Sequence, residues 1–564
     1  MTKKLRALQH TLHITIQSFP SYQRVIFGMF AILMIVGTLG LITNLRRVYS
    51  TNVPAPGGTL TEGIIGTPRF INPVFALTQS DKDLTSVIFS GLLRQTESQT
   101  PKPDLAENYT ISDDGTLYTF TLRDDVYFHD GNKIQADDVL FTIEKIQDPL
   151  VASPHQIDWR GVRTDIVDSR TIQFTLTEPY AGFLTNITLG ILPKHVWESI
   201  PPEEMSLSAY NTHPIGSGAY RVKSIKTNKK GLAGRYSLRK FRKYYEPALI
   251  QNLIIKFFAT ESSAIRALER GKIDSLGGVN TKQTKNRLVT VTTPLPRTIG
   301  IFVGAETSSP LSSKSMRSAV NQAINKSIVI EQALGGFGQI AIDVSPLISP
   351  KENTDLTIPL RSDIEQYLDS AGWVMTESVF REKDGQTLSF NLATSNTQEF
   401  TSVAENIKAQ LQTFGFDVTI QIFEPGTLEQ DIIRARNFDA LLFGTAIEHD
   451  TDIFAFWHSS ERNDPGLNIT GYVNPRVDTA LEKAIRENNP VIRDELYETV
   501  SSELQKDLPM IPLYHPTYRY VIHRKIKNVS TDGMITASDR WNTLPTWHRH
   551  STWVWKIFTK EQNI

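Results

Sequence analysis

Between Phe443 and Ser460 the chain reads FGTAIEHDTDIFAFWHSS. Within it Glu448, His449, Asp450, Asp452 and His458 are the residue types that hold a cation, an ammonium group or a metal ion. His449, Asp450, Asp452 and His458 fit no standard spacing of metal ligands, so the stretch reads as the polar rim of a binding loop. Trp457 adds an aromatic wall, and Asn468-Ile469-Thr470-Gly471-Tyr472 places an amide, a hydroxyl and a phenol in a second short loop. Bond-breaking chemistry has no comparable signature. There is no G-x-S-x-G elbow, no H-E-x-x-H helix and no G-x-x-x-x-G-K-[ST] loop. Gly216-Ser217-Gly218 lacks the third glycine of a dinucleotide fingerprint and reads as a turn. The chain has no cysteine, which excludes disulfides, thiolate nucleophiles, cysteine-bound metal and a lipid on an N-terminal cysteine. These residues point to a non-enzymatic binder with no cofactor.

The elements that must hold these loops follow from patterning. Asn437-Phe438-Asp439-Ala440 leads into a short buried strand, Leu441 to Gly444, which delivers the acidic loop. Phe400 to Phe414 reads as a helix and Phe416 to Ile422 as an alternating strand. Leu84 to Arg94 reads as a buried helix, and Met316 to Ile330 as another. At 564 residues, two or three domains are expected. A net charge of −1 leaves no basic field for nucleic acid. Val25 to Leu45 is an uncharged, mostly apolar run, long enough at about 1.5 Å per residue to cross a hydrocarbon core of about 30 Å. Pro54 and Pro56 follow it in place of a small-residue cleavage site, which favours a transmembrane anchor over a removed signal. Lys3, Lys4, Arg6 and Arg24 before it, against Arg46 and Arg47 after it, bias the N-terminus inward. Tyr49 to Gly58 reads as a Pro/Gly linker. The tail Trp547 to Ile564, with Trp547, Trp553 and Trp555 among His548, Arg549 and Lys556, suits either packing on the first domain or a lipid headgroup layer.

The most specific stretch is Pro103 to Ile146, PDLAENYTISDDGTLYTFTLRDDVYFHDGNKIQADDVLFTIEKI. Ser112-Asp113-Asp114-Gly115 is a turn, and Tyr118, Phe120 and Leu122 share one face of a strand. Asp130-Gly131 turns the chain again, and Asp137 and Asp138 open a helix. This order resembles the signature region of the family 5 extracellular solute-binding proteins, the peptide- and oligopeptide-binding receptors of ABC importers. GGTLTEGIIGTPRFINPV, RTIQFTLTEPYAGFLTNIT and PIGSGAYRV are similar to further segments of that family, and the likeness extends over about residues 58 to 548.

The resemblance implies an α/β, periplasmic-binding-protein-like fold: two lobes built from three discontinuous domains and preceded by one transmembrane helix. Domain I would comprise 58–93, 212–300 and 528–564, domain II 94–211 and domain III 301–527. Before them come a cytoplasmic segment 1–24, the anchor 25–45 and the linker 46–57. Ligand would lie in the cleft between the composite lobe and domain III, touched by Phe70, Asn72, Glu448, Asp450, Asp452, Trp457, Asn468 and Tyr472, with Gly216, Gly218 and Tyr220 at a hinge. In peptide-binding members a carboxylate after an upstream Trp pairs the ligand's α-amino group. Here that position falls near Ile447, with Glu448 one residue displaced and no preceding Trp. Peptide is the first ligand the resemblance implies, and this departure leaves another small oligomer, a sugar or a nickel chelate, or a sensor or scaffold role without transport, as alternatives. The expected partners are a permease and ATPase complex, with the binding domain itself on the extracytoplasmic side of the cytoplasmic membrane.

Overall fold

A computed structural model of the protein describes residues 20–96, 100–180, 182–228, 231–279, 285–304, 309–345, 360–447, 452–487 and 489–556. The chain divides into two compact units, one of residues 1–58 with 548–564 and the other of residues 59–547.

In the first unit, helix α1 (Ser21–Tyr49) contains a 21-residue stretch, Ser21–Leu41, of mean hydropathy 2.1 and no burial. Hydroxyls within it are satisfied by their own helix: Thr38 donates to the Met34 carbonyl at 2.7 Å and Thr43 to that of Gly40 at 2.8 Å. The segment expected to be a linker is instead strand β1 (Ser50–Ala55), paired antiparallel with a C-terminal strand, His550–Trp555, in a two-stranded ribbon. The tail therefore groups with the N-terminal segment, and not with domain I as expected.

The second unit is organised on a mixed twelve-stranded sheet. Strand β2 (Thr59–Ile65) precedes helix α2 (Gln79–Ile88), which starts earlier than expected because the Thr78 hydroxyl caps it by accepting from Asp81 N. A separate four-stranded sheet follows, from β3 (Ala106–Ile111), β4 (Leu117–Leu122), β5 (Arg163–Ile166) and β6 (Thr171–Thr175), in the order β3-β4-β6-β5. Tyr118, Phe120 and Leu122 point inward, as their alternation requires, and helix α3 (Ala136–Gln147) packs across the sheet. The chain then returns through β7 (Tyr220–Thr227), β8 (Ala233–Lys240), β9 (Asn252–Phe258), β10 (Ser275–Gly277) and β11 (Leu288–Pro294).

Strand β12 (Arg297–Val303) opens the other lobe, which contains α4 (Lys314–Ala323), β13 (Ser389–Ser395), α5 (Gln398–Gln412), β14 (Asp417–Phe423) and β15 (Ala440–Ala446). The helix expected to reach Ile330 stops at Ala323, where Ile324 leaves helical geometry. Helices α6 (Pro475–Ala484) and α7 (Pro490–Asp507) lead into β16 (Met510–His523). The main path of the sheet runs β14-β13-β15-β12-β16-β10-β2-β9-β8-β7, with β11 and a short strand, Gly338–Ile340, also paired to β16.

Strand β16 belongs to both lobes. Ile511, Leu513 and Tyr514 pack in one core with Ile299 and Ile301, while Tyr518, Tyr520 and Ile522 pack in the other with Leu60 and Ile255. The core changes between Tyr514 and Tyr518, and again between Leu295 and Ile299. The second half of β16 thus lies with the first lobe, whereas domain III was expected to run to residue 527.

Candidate ligand site

Strands β13, β14 and β15 run parallel, in the spatial order β14-β13-β15. After β13, the chain passes through α5 to β14 on one side of it, then to β15 on the other. The carboxyl ends of β13 and β15 therefore flank a point where the winding reverses, the place where open α/β sheets leave a crevice for ligand. Local sequence fixes this geometry. Thr397 caps α5 by accepting from Phe400 N, so the chain turns sharply out of β13, and Asn396 N donates to the Phe423 carbonyl at 2.9 Å, holding the neighbouring strand end.

A cavity of about 460 Å³ opens at these strand ends. Phe400, Leu428, Ile433, Phe443, Leu467 and Ile469 give it an apolar wall. The rings of Phe400 and Phe443 stack at 6.4 Å with 19° between planes. Arg434, Arg436, Glu429 and Asp464 lie on the same lining. The Arg436 guanidinium is committed to structure, donating to the Ile433 carbonyl at 2.8 Å and the Gly466 carbonyl at 2.6 Å. Arg434 pairs with Glu429 at 3.2 Å, between side chains that are both more than half exposed, and so keeps a mobile charge at the rim. The chemistry available is burial of an apolar side chain beside charged groups.

The acidic loop leaves β15 at this crevice. Ile447 is buried, with its N–H donating to the Pro296 carbonyl at 3.2 Å. Glu448 and Asp450 lie outside the described residues. Asp452 precedes the short helix Ile453–Trp457 and is partly buried. Trp457 is 1% exposed and stacks on Phe302 at 6.5 Å, a core position. Asn468 is fully buried and ties two loops together: its amide donates to the carbonyls of His458 (3.1 Å) and Tyr472 (2.9 Å), and its Oδ1 accepts from Tyr472 N (3.1 Å). Tyr472 is half-buried and donates to Asp507 at 2.7 Å, with the phenol held above its usual range by burial and by that carboxylate. Trp457, Asn468 and Tyr472 thus form one local assembly that shapes the loops without lining the cavity.

Phe70 and Asn72 belong to the other lobe. Asp81 Oδ1 accepts from the N–H of Arg69 and of Phe70, and the Phe70 ring packs against Phe75 at 5.7 Å. Asn72 has no exposed surface; its amide donates to Asn211 at 3.0 Å while its oxygen accepts from Val74 N at 2.9 Å. Asn72 therefore shapes this loop from inside.

Gly216, Gly218 and Tyr220 are stapled within the first lobe. Gly218 N donates to the Ile88 carbonyl at 2.7 Å, and a Cβ on Gly216 would fall 2.1 Å from that oxygen. His129 clasps the same segment, with Nε2–H donating to the Gly218 carbonyl at 3.0 Å and Nδ1 accepting from Gly216 N at 3.3 Å. Burial pushes this imidazole down to about 4, which keeps it neutral and fixes that tautomer. Tyr220 is buried and donates to the Ile250 carbonyl at 2.9 Å. The glycines allow a close backbone crossing, and the segments that pass between the two cores are instead Leu295–Ile299 and Tyr514–Tyr518. The cavity lining was only partly anticipated: Phe443 opens the stretch read as the binding region, but as part of a buried strand, and Phe400 fell in a segment read only as a helix; the crossover that joins them is a property of strand order.

Among the described residues no group of three His, Asp or Glu is placed to hold a metal. His458 stacks on Phe454 at 4.1 Å and faces Glu482 at 3.4 Å.

Two lobes joined by crossing strands, with a crevice at a reversal of strand order, define a solute-binding receptor of the periplasmic-binding-protein type. The model of the bacterial extracellular solute-binding proteins, family 5, matches residues 100–465, and the chain belongs to that family. The oligopeptide-binding protein AppA of Bacillus subtilis is 26% identical over 501 residues, covering 84% of this chain and 89% of AppA. The structure of AppA in complex with a nonapeptide superposes with a TM-score of 0.68 at 24% identity, over 88% of this chain and 99% of that one. NikZ of Campylobacter jejuni, in complex with Ni(L-His), superposes with a TM-score of 0.69 at 26% identity, over 87% and 99%.

Proposed function

We propose that the protein is the substrate-binding receptor of an ABC importer, capturing peptides between its lobes and delivering them to a permease and ATPase complex. The observation that carries this is the cavity at the β13/β15 strand ends, on a chain of this family: an apolar pocket with charged groups on its lining suits a peptide side chain. The relatives named for oligopeptides support the ligand class. The reading has no catalytic step; lobe movement on the crossing segments does the work. Helix α1 anchors the receptor in the cytoplasmic membrane with its N-terminus inside, supported by its length, hydropathy and exposure. A nickel-chelate receptor is the second reading, favoured by the relative that holds Ni(L-His).

The test is made at Glu448, which we assign to the ligand's α-amino group. Truncating one partner of a buried charge pair costs on the order of 2–5 kcal/mol, about 30-fold to several-thousand-fold in affinity. Calorimetry of the parent and of Glu448→Gln with a bound peptide and its N-acetylated form should show strong discrimination in the parent that is largely lost in the variant. Equal binding of both forms by the parent would overturn the amine reading. Discrimination that survives in the variant would move the role to Asp450 or Asp452.

A further inference from the structure

The β1 ribbon is a two-stranded sheet placed directly at the end of the apolar helix. Helix α1 ends at Tyr49 and the first ribbon residue is Ser50. Its partner strand, β17 (His550–Trp555), runs back toward that helix end, with Ser50 opposite Trp555, Asn52 opposite Trp553 and Pro54 opposite Ser551. Directly opposed residues share a face, so both tryptophans project from one side of the ribbon. Trp553 is 47% exposed and Trp555 50%.

Two physical points ask for something to cover that face. A lone two-stranded ribbon is marginally stable in water. Adjacent half-exposed tryptophans on such a ribbon leave a large apolar area wet. Position decides what covers it. Ser50 lies five residues beyond Leu45, where the uncharged run ends, or roughly 7–8 Å along a helix. The headgroup layer beyond the hydrocarbon is about 5–8 Å thick on each side. Trp555, in register with Ser50, therefore stands at the level of the headgroups, and Trp553 no more than about 7 Å farther along the strand. Tryptophan is the side chain enriched at that depth, its ring in the acyl boundary and its indole N–H toward water.

We infer that the β1–β17 ribbon docks by its Trp553/Trp555 face on the outer phospholipid interface beside helix α1, giving the receptor a second membrane contact made by its C-terminal strand. This rests on the reading of α1 as a membrane anchor. Helix α1 contains no tryptophan, so quenching from within the bilayer is not confounded by the anchor.

The full chain is reconstituted in phosphatidylcholine/phosphatidylglycerol vesicles, either plain or with acyl chains brominated near the glycerol or near the terminal methyl. Two of eight tryptophans give on the order of a quarter of the emission, and that fraction should be lost with shallow bromine, less with deep bromine. Trp553→Ser/Trp555→Ser should abolish the quenching while the chain stays bound through an alkaline wash. Equal emission in plain and brominated vesicles, from a parent chain that survives the wash, overturns the ribbon contact and leaves the anchor standing. That result would also be obtained if the face covers a protein partner instead. Release of the parent by the wash overturns anchor and contact together. Quenching that persists in the double variant assigns it to other tryptophans and overturns the inference.

Discussion

Arg540 brings one positive charge to a site where two carboxylates are buried. Its guanidinium is bidentate to Asp83, with both N–O distances 2.7 Å, and reaches Glu62 at 3.3 Å. Glu62 also accepts from Tyr520 at 2.8 Å and from Ser275. Burial holds the Glu62 carboxyl above the usual range although Arg540, Ser275 and Tyr520 pull it down. Because the folded state then binds the extra proton, stability from this group is full below the ordinary glutamate value and falls as pH rises through the raised one. Glu62→Gln should flatten that slope in denaturation midpoints measured across pH. Arg540→Met leaves Asp83 buried and unpaired and should cost about 3–5 kcal/mol at neutral pH. A loss below about 1 kcal/mol would mean that water reaches the site. Nothing in the local sequence marks this cluster, since Glu62, Asp83 and Arg540 meet only through the tertiary fold.

At the level of elements, the alternation of Tyr118, Phe120 and Leu122 was readable because one face of that strand is buried and the other wet. The role of Gly216 was not, because it depends on the carbonyl of Ile88, far away in sequence. Its substitution tests the packing reading directly: Gly216→Ala forces the backbone apart and should lower stability by roughly 1–3 kcal/mol in chemical denaturation, while leaving the ligand-dependent lobe movement intact. A mobile hinge would tolerate the methyl. The segments that pass between the two cores each contain a proline (Pro296 and Pro516), and in the proposed function they are the ones assigned the movement. A saturating peptide should reduce the radius of gyration in solution scattering, and an unchanged profile would argue for a static scaffold.

For the whole molecule, the fold class was legible from a contiguous motif, whereas the ribbon was invisible because its strands are about 500 residues apart. Pro54 and Pro56 suggested a linker by composition, yet Pro54 sits opposite Ser551 in the antiparallel pairing. Retention of α1 has a direct readout. The N-terminus of protein purified from its native membrane, read by mass spectrometry, should lie at or near Met1; a terminus between Tyr49 and Gly58 would mean the helix is removed.

The position of β16 in the sheet has a consequence for biosynthesis. It pairs with β12 on one side and β10 on the other, yet it is synthesised after about nine-tenths of the chain. Until Met510 to His523 emerges, β14-β13-β15-β12 and β10-β2-β9-β8-β7 are two half-sheets, each ending in a row of unsatisfied backbone groups. Strand β11, which pairs with β16, must wait as well. Between the synthesis of Ala446 and that of Met510 the nascent protein would therefore carry two sticky β-edges, which the last long strand both closes and joins across the lobes.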